Sequence, residues 1–299
     1  MTARRRSPLV EWVKCVDNAK PARLSLGTLT AAWADRKVCL MRCCRLEMTA
    51  MMQTTGPLPR QIHLPFSITP QMTDTDCGST CLQSVYAQLG RHETVDDIRE
   101  RIHELDGGGT LASFLAADAL KLGFAVRMFT CNLHLFDPTW ADLDLPALRD
   151  RLERQAAVKT DPRLVAATKG QLDLIDLGAE IRFEDVSAQL LLRLLVEDGP
   201  IIAGLSATWL YRCARERTTD LASDDIQGEP TGHFVVITGL NLDAWTAEIA
   251  DPYLQQPWPG AHEYTVSIDR LINAILLGIV TYDAKLLTIT QSRAAERSL

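Results

Sequence analysis

The sequence predicts an α+β fold in which helices come first and strands come last. Two observations support this class. Between residues 77 and 196 the apolar residues recur mainly with the 3.6-residue period of helices. From Pro200 onward, short apolar runs typical of strands replace that period. Helices and strands that are segregated in this way differ from the alternating βα pattern of doubly wound folds. We therefore expect N-terminal helices packed on a C-terminal antiparallel sheet.

The composition is that of an ordinary globular protein. The chain has 299 residues, of which 46% are hydrophobic and 23% charged, which excludes a disordered chain and a fibrous one. Its 8 cysteines are too few for a disulfide-stapled scaffold. There is no uninterrupted apolar run of about 18 residues, so we expect no membrane partner. The net charge of −7 disfavours a nucleic-acid partner.

The first 50 residues differ from the rest of the chain in charge. They contain 10 Lys and Arg against 4 Asp and Glu, whereas residues 51–299 contain 21 against 34. The basic start is not followed closely by an apolar core, so it fits a secretory signal poorly. We predict that residues 1–52 are a disordered or mis-assigned N-terminal extension, and that residues 53–299 form the functional domain. Without a credible signal, we expect a cytoplasmic protein.

The elements follow from local patterns. Four prolines exclude a helix over residues 53–70 and leave room for a short strand at 62–66. A helix begins near Cys77 and ends at Gly90, because the apolar residues between them share one face. Residues 159–185 are ambiguous, and the polar residues 206–232 are predicted to be a loop. Further helices are predicted at 94–105, 110–122, 143–158, 186–196 and 267–277, and strands at 124–130, 200–205, 233–240, 247–250 and 284–289.

Four residues have the chemistry and the setting that thiol catalysis needs. Cys77 begins a predicted helix, where unpaired backbone N–H groups and the helix dipole favour a thiolate nucleophile. His233 begins a strong strand and is the candidate acid/base. Asp251 ends the next strand, so a turn between antiparallel strands would place its carboxylate where it orients the imidazole. Gln71, six residues before the cysteine, would complete a two-donor oxyanion hole with the Cys77 N–H.

Each of these residues also has an ordinary structural explanation. Cysteine is among the most buried residue types and packs as a small hydrophobe, as Cys81 is expected to do one turn later. A histidine at the start of a strand is commonly structural, and Asp-Pro after a strand is a common turn signal. The occurrence of all of these residues in the required order favours catalysis over these alternatives.

The same residues resemble a known family. Over roughly residues 60–290, the sequence is similar to papain-like cysteine peptidases of the bacteriocin-processing (double-glycine leader) type. It also resembles the related eukaryotic peptidase-like proteins called "guanylyl cyclase domain-containing". The resemblance implies a papain-like fold in which the Cys-bearing helix packs on an antiparallel sheet that carries His and Asp. The matching motifs are Gln71-x-x-x-x-Asp76-Cys77-Gly78-x-x-Cys81, Gly232-His233-Phe-Val-Val and Asp251-Pro252.

Four further residues are predicted to bind the substrate. Asp76 and Gly78 flank the predicted nucleophile, and Gly232 immediately precedes the predicted acid/base. Trp209 lies in the long segment that leads to this glycine. Relative to the bacteriocin-processing peptidases, the chain has extra material near residues 131–185 and 206–232.

We expect a thiol hydrolase that acts on a peptide or amide bond through an acyl-enzyme. Two alternatives stay open: an acyl-transfer or ligase-type enzyme with the same triad, and a catalytically silent peptide-binding module. The sequence has no paired metal-binding carboxylates and no G-x-x-x-x-G-K-S/T phosphate loop, so cyclase activity finds no support. We expect no cofactor and no metal.

Overall fold

The computed structural model of the protein describes residues 57–105, 108–253, 262–281 and 284–292. The predicted extension, residues 1–52, lies outside the described residues. None of the helices in these ranges is both long enough and apolar enough to cross a lipid bilayer.

A mainly antiparallel sheet forms the centre of the described structure. The strand order in the sheet is β3-β2-β8-β4-β5-β6-β7. Strand β1 lies outside this order and pairs with β5. The pair β2–β3 is parallel, and the other strand pairs are antiparallel. The strands are β1 (Gln61–His63), β2 (Ala125–Thr130), β3 (Glu180–Arg182), β4 (Ile201–Ser206), β5 (Gly232–Asn241), β6 (Thr246–Ala250), β7 (Glu263–Ser267) and β8 (Lys285–Thr290).

Helices cover both faces of this sheet. Short 3₁₀ helices add one turn at Pro138–Trp140 and another at Gly278–Thr281. The α-helices of the described residues are α1 (Cys77–Gln88), α2 (Val95–Arg101), α3 (Ala112–Lys121), α4 (Leu145–Ala156), α5 (Pro162–Asp176), α6 (Ala188–Glu197), α7 (Ala207–Tyr211) and α8 (Ile268–Leu277).

Strand β5 connects the two main hydrophobic cores. Because successive side chains of a strand point to opposite faces, Phe234 and Val236 pack with α1 and α3 on one side of the sheet. Val235 and Ile237 pack with α6 and α8 on the other side. All four side chains are buried. This burial on both faces explains why the strand appears in the sequence as a continuous apolar run.

The first turn of α1 lies very close to the sheet. A Cβ atom on Gly78 would lie 2.8 Å from Cγ2 of Thr110 and 3.2 Å from the ring of Phe234. One turn later, the Cys81 thiol donates a hydrogen bond to the carbonyl of Phe234, with a sulfur–oxygen distance of 3.4 Å. A side chain at position 78 would displace its neighbours, so the glycine allows the start of α1 to lie against β5.

A third, smaller core lies in the segment that the sequence analysis treats as extra material. Helices α4 and α5 pack there against α3 and against the buried residues Leu135 and Phe136. The packing of α5 on α3 is close, because a Cβ atom on Gly170 would lie 2.4 Å from Oγ of Ser113.

The predicted fold class is confirmed. The described structure is α+β, the Cys-bearing helix packs on the sheet, His233 lies in β5, and Asp251 directly follows β6. The chain from 206 to 232 is not wholly a loop, since α7 forms at its start. The ambiguous residues 159–185 contain α5 and β3, and β7 was not predicted. The strand predicted at 62–66 is shorter, and the helix predicted at 94–105 ends at Arg101.

Candidate active site

Cys77 is the first residue of α1 and is partly exposed. The first N–H groups of a helix have no partner within the helix, and the helix dipole places partial positive charge there. Asp76, the residue before Cys77, does not cap the helix with its side chain. Its carboxylate instead accepts a hydrogen bond from the N–H of Thr73 at 3.1 Å and lies 3.3 Å from Nε of Arg99. The start of the helix is therefore anchored to its neighbours.

His233 and Asp251 meet because of the register of β5 and β6. Val236 pairs with Ala250, so the next residue along the chain, Asp251, comes opposite Val235 if the register continues. Residues two apart in a strand share a face, and diagonal neighbours on adjacent strands lie within side-chain reach. Nε2 of His233 lies 2.8 Å from Oδ1 of Asp251, within the 2.6–3.2 Å range expected for such a hydrogen bond.

The other side of the imidazole faces the cysteine. Cys77 lies near enough to His233 to help raise the pKa of the imidazole. Since Nε2 of the ring is engaged by Asp251, Nδ1 is the nitrogen left for the sulfur. The imidazole thus lies between the cysteine and the carboxylate, and it is hydrogen-bonded to the carboxylate.

The Asp251 carboxylate is fully buried and receives four hydrogen bonds. Oδ1 accepts from His233 and from the backbone N–H of Tyr253 at 2.9 Å. Oδ2 accepts from the hydroxyls of Tyr211 at 2.7 Å and Tyr264 at 2.6 Å. The backbone of Asp251 is also fixed, because its N–H donates to the carbonyl of His262 at 2.8 Å.

Burial and charge shift the pKa values in opposite directions at this site. Burial by itself lowers the pKa of His233, but the Asp251 carboxylate and Cys77 outweigh burial and raise that pKa to about 10. Burial raises the pKa of Asp251, but the imidazole and the hydroxyls of Tyr264 and Tyr211 outweigh it and hold this pKa below its ordinary value. Both shifts favour an imidazolium paired with a carboxylate.

Two tyrosine rings surround the imidazole. The ring centroids of Tyr211 and Tyr253 each lie 6.0 Å from that of His233. The two tyrosine rings also stack on each other, with centroids 6.2 Å apart. Tyr211 is buried and Tyr253 is partly exposed, so Tyr253 separates the imidazole from solvent on one side.

Gln71 lies beside the segment that follows Asp251. Its backbone N–H donates to the carbonyl of Pro252 at 2.9 Å, and its side-chain Nε2 donates to the carbonyl of Thr73 at 2.9 Å. A side-chain amide carries two N–H donors, so the bond to Thr73 leaves one of them for an oxyanion. Oε1 of Gln71 is buried and has no hydrogen-bond partner among the described residues.

The four predicted substrate-binding residues have different environments. Asp76 is only 2% exposed, and its carboxylate contacts Thr73 and Arg99. These contacts favour a role in anchoring the helix over contact with a substrate. Gly78 is buried beneath the helix start. Gly232 begins β5, and a Cβ atom there would lie 2.7 Å from Oγ1 of Thr281. The sequence-based role of these residues stays a prediction.

Trp209 is partly buried at the end of α7. The guanidinium carbon of Arg212 lies 4.1 Å from the centroid of the Trp209 ring. Nε1 of Trp209 has no hydrogen-bond partner within the described part of the chain. Arg212 has a φ of 57°, so the chain turns sharply directly after this helix. Trp209 is thus held near Tyr211 but packs mainly against the core on the α6 side of the sheet.

The tyrosines around Asp251 were missed by the sequence analysis. Tyr211 lies in the segment that was predicted to be a loop, and Tyr264 lies in a strand that was not predicted. The signal that could have found Tyr264 is the alternation of exposed and buried residues over Glu263–Ser267. No cluster of three or more His, Cys, Asp or Glu side chains in the described ranges is arranged to hold a metal ion.

The sequence also matches a known protein family. Residues 65–154 match the Peptidase C39 family. The matched segment includes Gln71 and Cys77 and ends before His233 and Asp251. A search of curated proteins finds no match. The match confirms the predicted class, a cysteine peptidase-like enzyme.

Solved structures of peptidases are similar to the chain at low identity. The peptidase domain of Streptococcus ComA, a bifunctional ABC transporter, is 16% identical, with 76% of this chain and 100% of that chain covered and a TM-score of 0.37. Xylellain, a cysteine protease from Xylella fastidiosa, is 15% identical, with 79% and 88% covered and a TM-score of 0.40. Identities and TM-scores this low leave the assignment of roles to the geometry of the site itself.

Proposed function

We propose that the protein is a thiol hydrolase that cleaves a peptide or amide bond with Cys77, His233 and Asp251. The observation that carries this proposal is the buried imidazole of His233, which is hydrogen-bonded to the buried carboxylate of Asp251 and lies near the helix-leading Cys77. A histidine held between a helix-leading cysteine and a carboxylate is the arrangement that activates a thiol nucleophile.

The proposed reaction has two stages. The Cys77 thiolate attacks the carbonyl carbon, and the oxygen that becomes negative is stabilised by the Cys77 N–H and the Gln71 amide. The His233 imidazolium then donates its proton to the leaving amine, which leaves an acyl-enzyme on the sulfur. Water, activated by the neutral imidazole, attacks the thioester and releases the acid. Asp251 holds the ring in one orientation and stabilises its charged form.

The two alternatives depart from this proposal at different stages. The acyl-transfer or ligase-type enzyme differs after the acyl-enzyme has formed, and the binding module differs before it forms. An acyl-transfer or ligase-type enzyme would replace water by an amine, and no specific contact in the structure favours such an acceptor. In a silent binding module the thiol would not be activated, and the nearness of Cys77 to an imidazole that is paired with a buried carboxylate argues against that. The resemblance to guanylyl cyclase domain-containing proteins leads to no proposal of cyclase chemistry.

We further propose that residues 53–299 form the catalytic domain and that it works in a reducing compartment such as the cytoplasm. Cys77, Cys81, Cys131 and Cys213 are all free thiols. The nucleophile must remain a free thiol to react, which a reducing environment ensures.

Alkylation by iodoacetamide tests the nucleophile without knowledge of the substrate. We expect Cys77 to react fastest of the four cysteines that the structure describes at about pH 6–7, because among these four it alone begins a helix and lies near His233. Burial raises the pKa of the thiols of Cys81 and Cys131, so they should remain protonated and slow, and Cys213 serves as the exposed cysteine for comparison. Peptide mapping by mass spectrometry after short exposures gives the rate of each site.

The matched control is His233→Gln, which removes the partner of the thiol but leaves every cysteine in place. It should slow Cys77 by at least about tenfold while the rates of Cys131 and Cys213 stay the same. If Cys81 or Cys213 reacted faster than Cys77 in the parent chain, the assignment of the nucleophile would be overturned.

A further inference from the structure

We propose that Tyr211 and Tyr264 are positioning residues, whose hydroxyls keep the buried Asp251 carboxylate ionised and turned so that Oδ1 faces His233. The inference rests on the proposed function, because it concerns the carboxylate of that triad. It adds two residues from α7 and β7 to a site that the sequence motifs place only on α1, β5 and the end of β6.

The two oxygens of Asp251 have separate partners. Oδ1 is engaged by the imidazole and by a backbone N–H, whereas Oδ2 is engaged only by the two phenolic hydroxyls among its described hydrogen bonds. Both hydroxyls lie at 2.6–2.7 Å from Oδ2, which is typical of strong hydrogen bonds to an anion. These bonds hold the plane of the carboxylate in one orientation, so that one of its oxygens stays directed at the imidazole of His233.

The hydroxyls also stabilise the charge of this buried carboxylate. Asp251 is 0% exposed, and an ionised carboxylate without partners is very costly in such a place. None of its described hydrogen-bond donors is a lysine or an arginine, so apart from the imidazole its charge is met by neutral donors. Burial and the carboxylate raise the pKa of both tyrosines well above the ordinary value, so their hydroxyls stay protonated and donate.

The surroundings of Asp251 contain few other groups that titrate. His262 contacts only its backbone carbonyl, through Nδ1 at 2.9 Å. The thiols of the active site and of the next turn approach it from α1, and the imidazole approaches it from β5. The two hydroxyls come from α7 and β7, and a third, partly exposed tyrosine comes from its own segment. These groups are Cys77, Cys81, His233, Tyr211, Tyr264 and Tyr253.

The test measures the ionisation of Asp251 directly. The chain is labelled with ¹³C at the aspartate carboxyl carbons, and the Asp251 signal is assigned by its loss in Asp251→Asn. In Tyr211→Phe and in Tyr264→Phe we expect the titration midpoint of this carboxyl to lie about one pH unit or more higher than in the parent chain. The physical reason is the loss of one hydrogen bond that stabilises the charged form. The two variants are independent, so either one that folds suffices.

A functional readout accompanies the titration. The rate of Cys77 alkylation in each variant, divided by the rate in the parent, should fall as the pH is lowered, because Asp251 becomes neutral sooner and stops supporting the imidazolium. A purely structural role of the hydroxyls would lower this ratio equally at every pH at which the chain is folded.

The matched control is Tyr86→Phe. Tyr86 is fully buried and donates from its hydroxyl to Oδ2 of Asp118 at 2.9 Å, so the same hydroxyl is removed from another buried carboxylate. It should leave the Asp251 midpoint and the pH dependence of the alkylation ratio unchanged. If both active-site variants titrate as the parent does, the inference is overturned, while fastest alkylation of Cys77 in the parent still supports the proposed function. If Cys77 is not the fastest cysteine, the proposed function fails whatever Asp251 does.

Discussion

At the scale of single residues, the charge of His233 links the site to the stability of the fold. The unfolded chain has an ordinary imidazole, whereas in the folded chain the Asp251 carboxylate and Cys77 raise the pKa of His233 to about 10 despite its burial. A raised pKa means that the folded state binds a proton more tightly than the unfolded state. The resulting stabilisation is complete below about pH 6.5 and is lost as the pH rises through the raised pKa.

We therefore expect the stability advantage of the parent over His233→Gln to shrink with increasing pH. Urea unfolding at about pH 6, 7.5 and 9 measures it, and the decrease should amount to a few kcal/mol at most. A constant or growing difference between parent and His233→Gln would contradict the protonated pair.

The residues of the proposed triad stand out in the sequence, but the groups around them do not. Cys77, His233 and Asp251 lie at the ends of strongly patterned elements, so their positions follow from local signals. Tyr211 and Tyr264 reach Asp251 only through the tertiary fold, and nothing in their immediate neighbours indicates a carboxylate partner. The hydrogen bonds of Gln71 also depend on a distant segment, at Pro252.

At the scale of elements, the contact between α1 and the sheet depends on the absence of a side chain at position 78. Gly78→Ala should destabilise the fold by about 1–3 kcal/mol, because the added methyl meets the Cγ2 methyl of Thr110 at 2.8 Å. The higher helix propensity of alanine stabilises the helix by about 1 kcal/mol and offsets part of this destabilisation. Chemical denaturation gives the net effect.

Thr110→Ser provides the matched background for this experiment. It removes only the methyl group that clashes and retains the hydroxyl, which donates to the carbonyl of His103 at 2.9 Å. The cost of Gly78→Ala should be smaller in the serine background. If alanine stabilised the chain equally in both backgrounds, the close approach of α1 to its neighbours would be refuted.

The elements that were missed are short or have weak patterns. Helix α7 is a single turn inside a polar stretch, so it shows no apolar period that could be recognised. Strand β7 has five residues and is followed at once by α8, which hides its alternation. Helix α5 begins with Asp161 as its N-cap and Pro162 in its first turn, and these capping signals could have identified its start.

At the scale of the whole molecule, the site joins segments that are far apart in the chain. The family match ends at residue 154, whereas two members of the proposed triad lie about 80 and 100 residues further on. Strand β5 brings them together, because its start is held between β4 and the beginning of α1, and its middle pairs with β6. The α+β class could be predicted because helices and strands segregate in the sequence, but the sheet order could not, since β8 inserts between β2 and β4.

The central claim is hydrolysis through Cys77, and cleavage of a peptide library in ¹⁸O-labelled water tests it most directly. A hydrolase places one oxygen atom from water in each new carboxyl terminus, and mass spectrometry detects it. The account predicts ¹⁸O-labelled products with the parent chain and with Cys213→Ala, which changes an exposed cysteine, and no products above background with Cys77→Ala. Cleavage that persists in Cys77→Ala, or a parent chain that cleaves no peptide of the library, would contradict it.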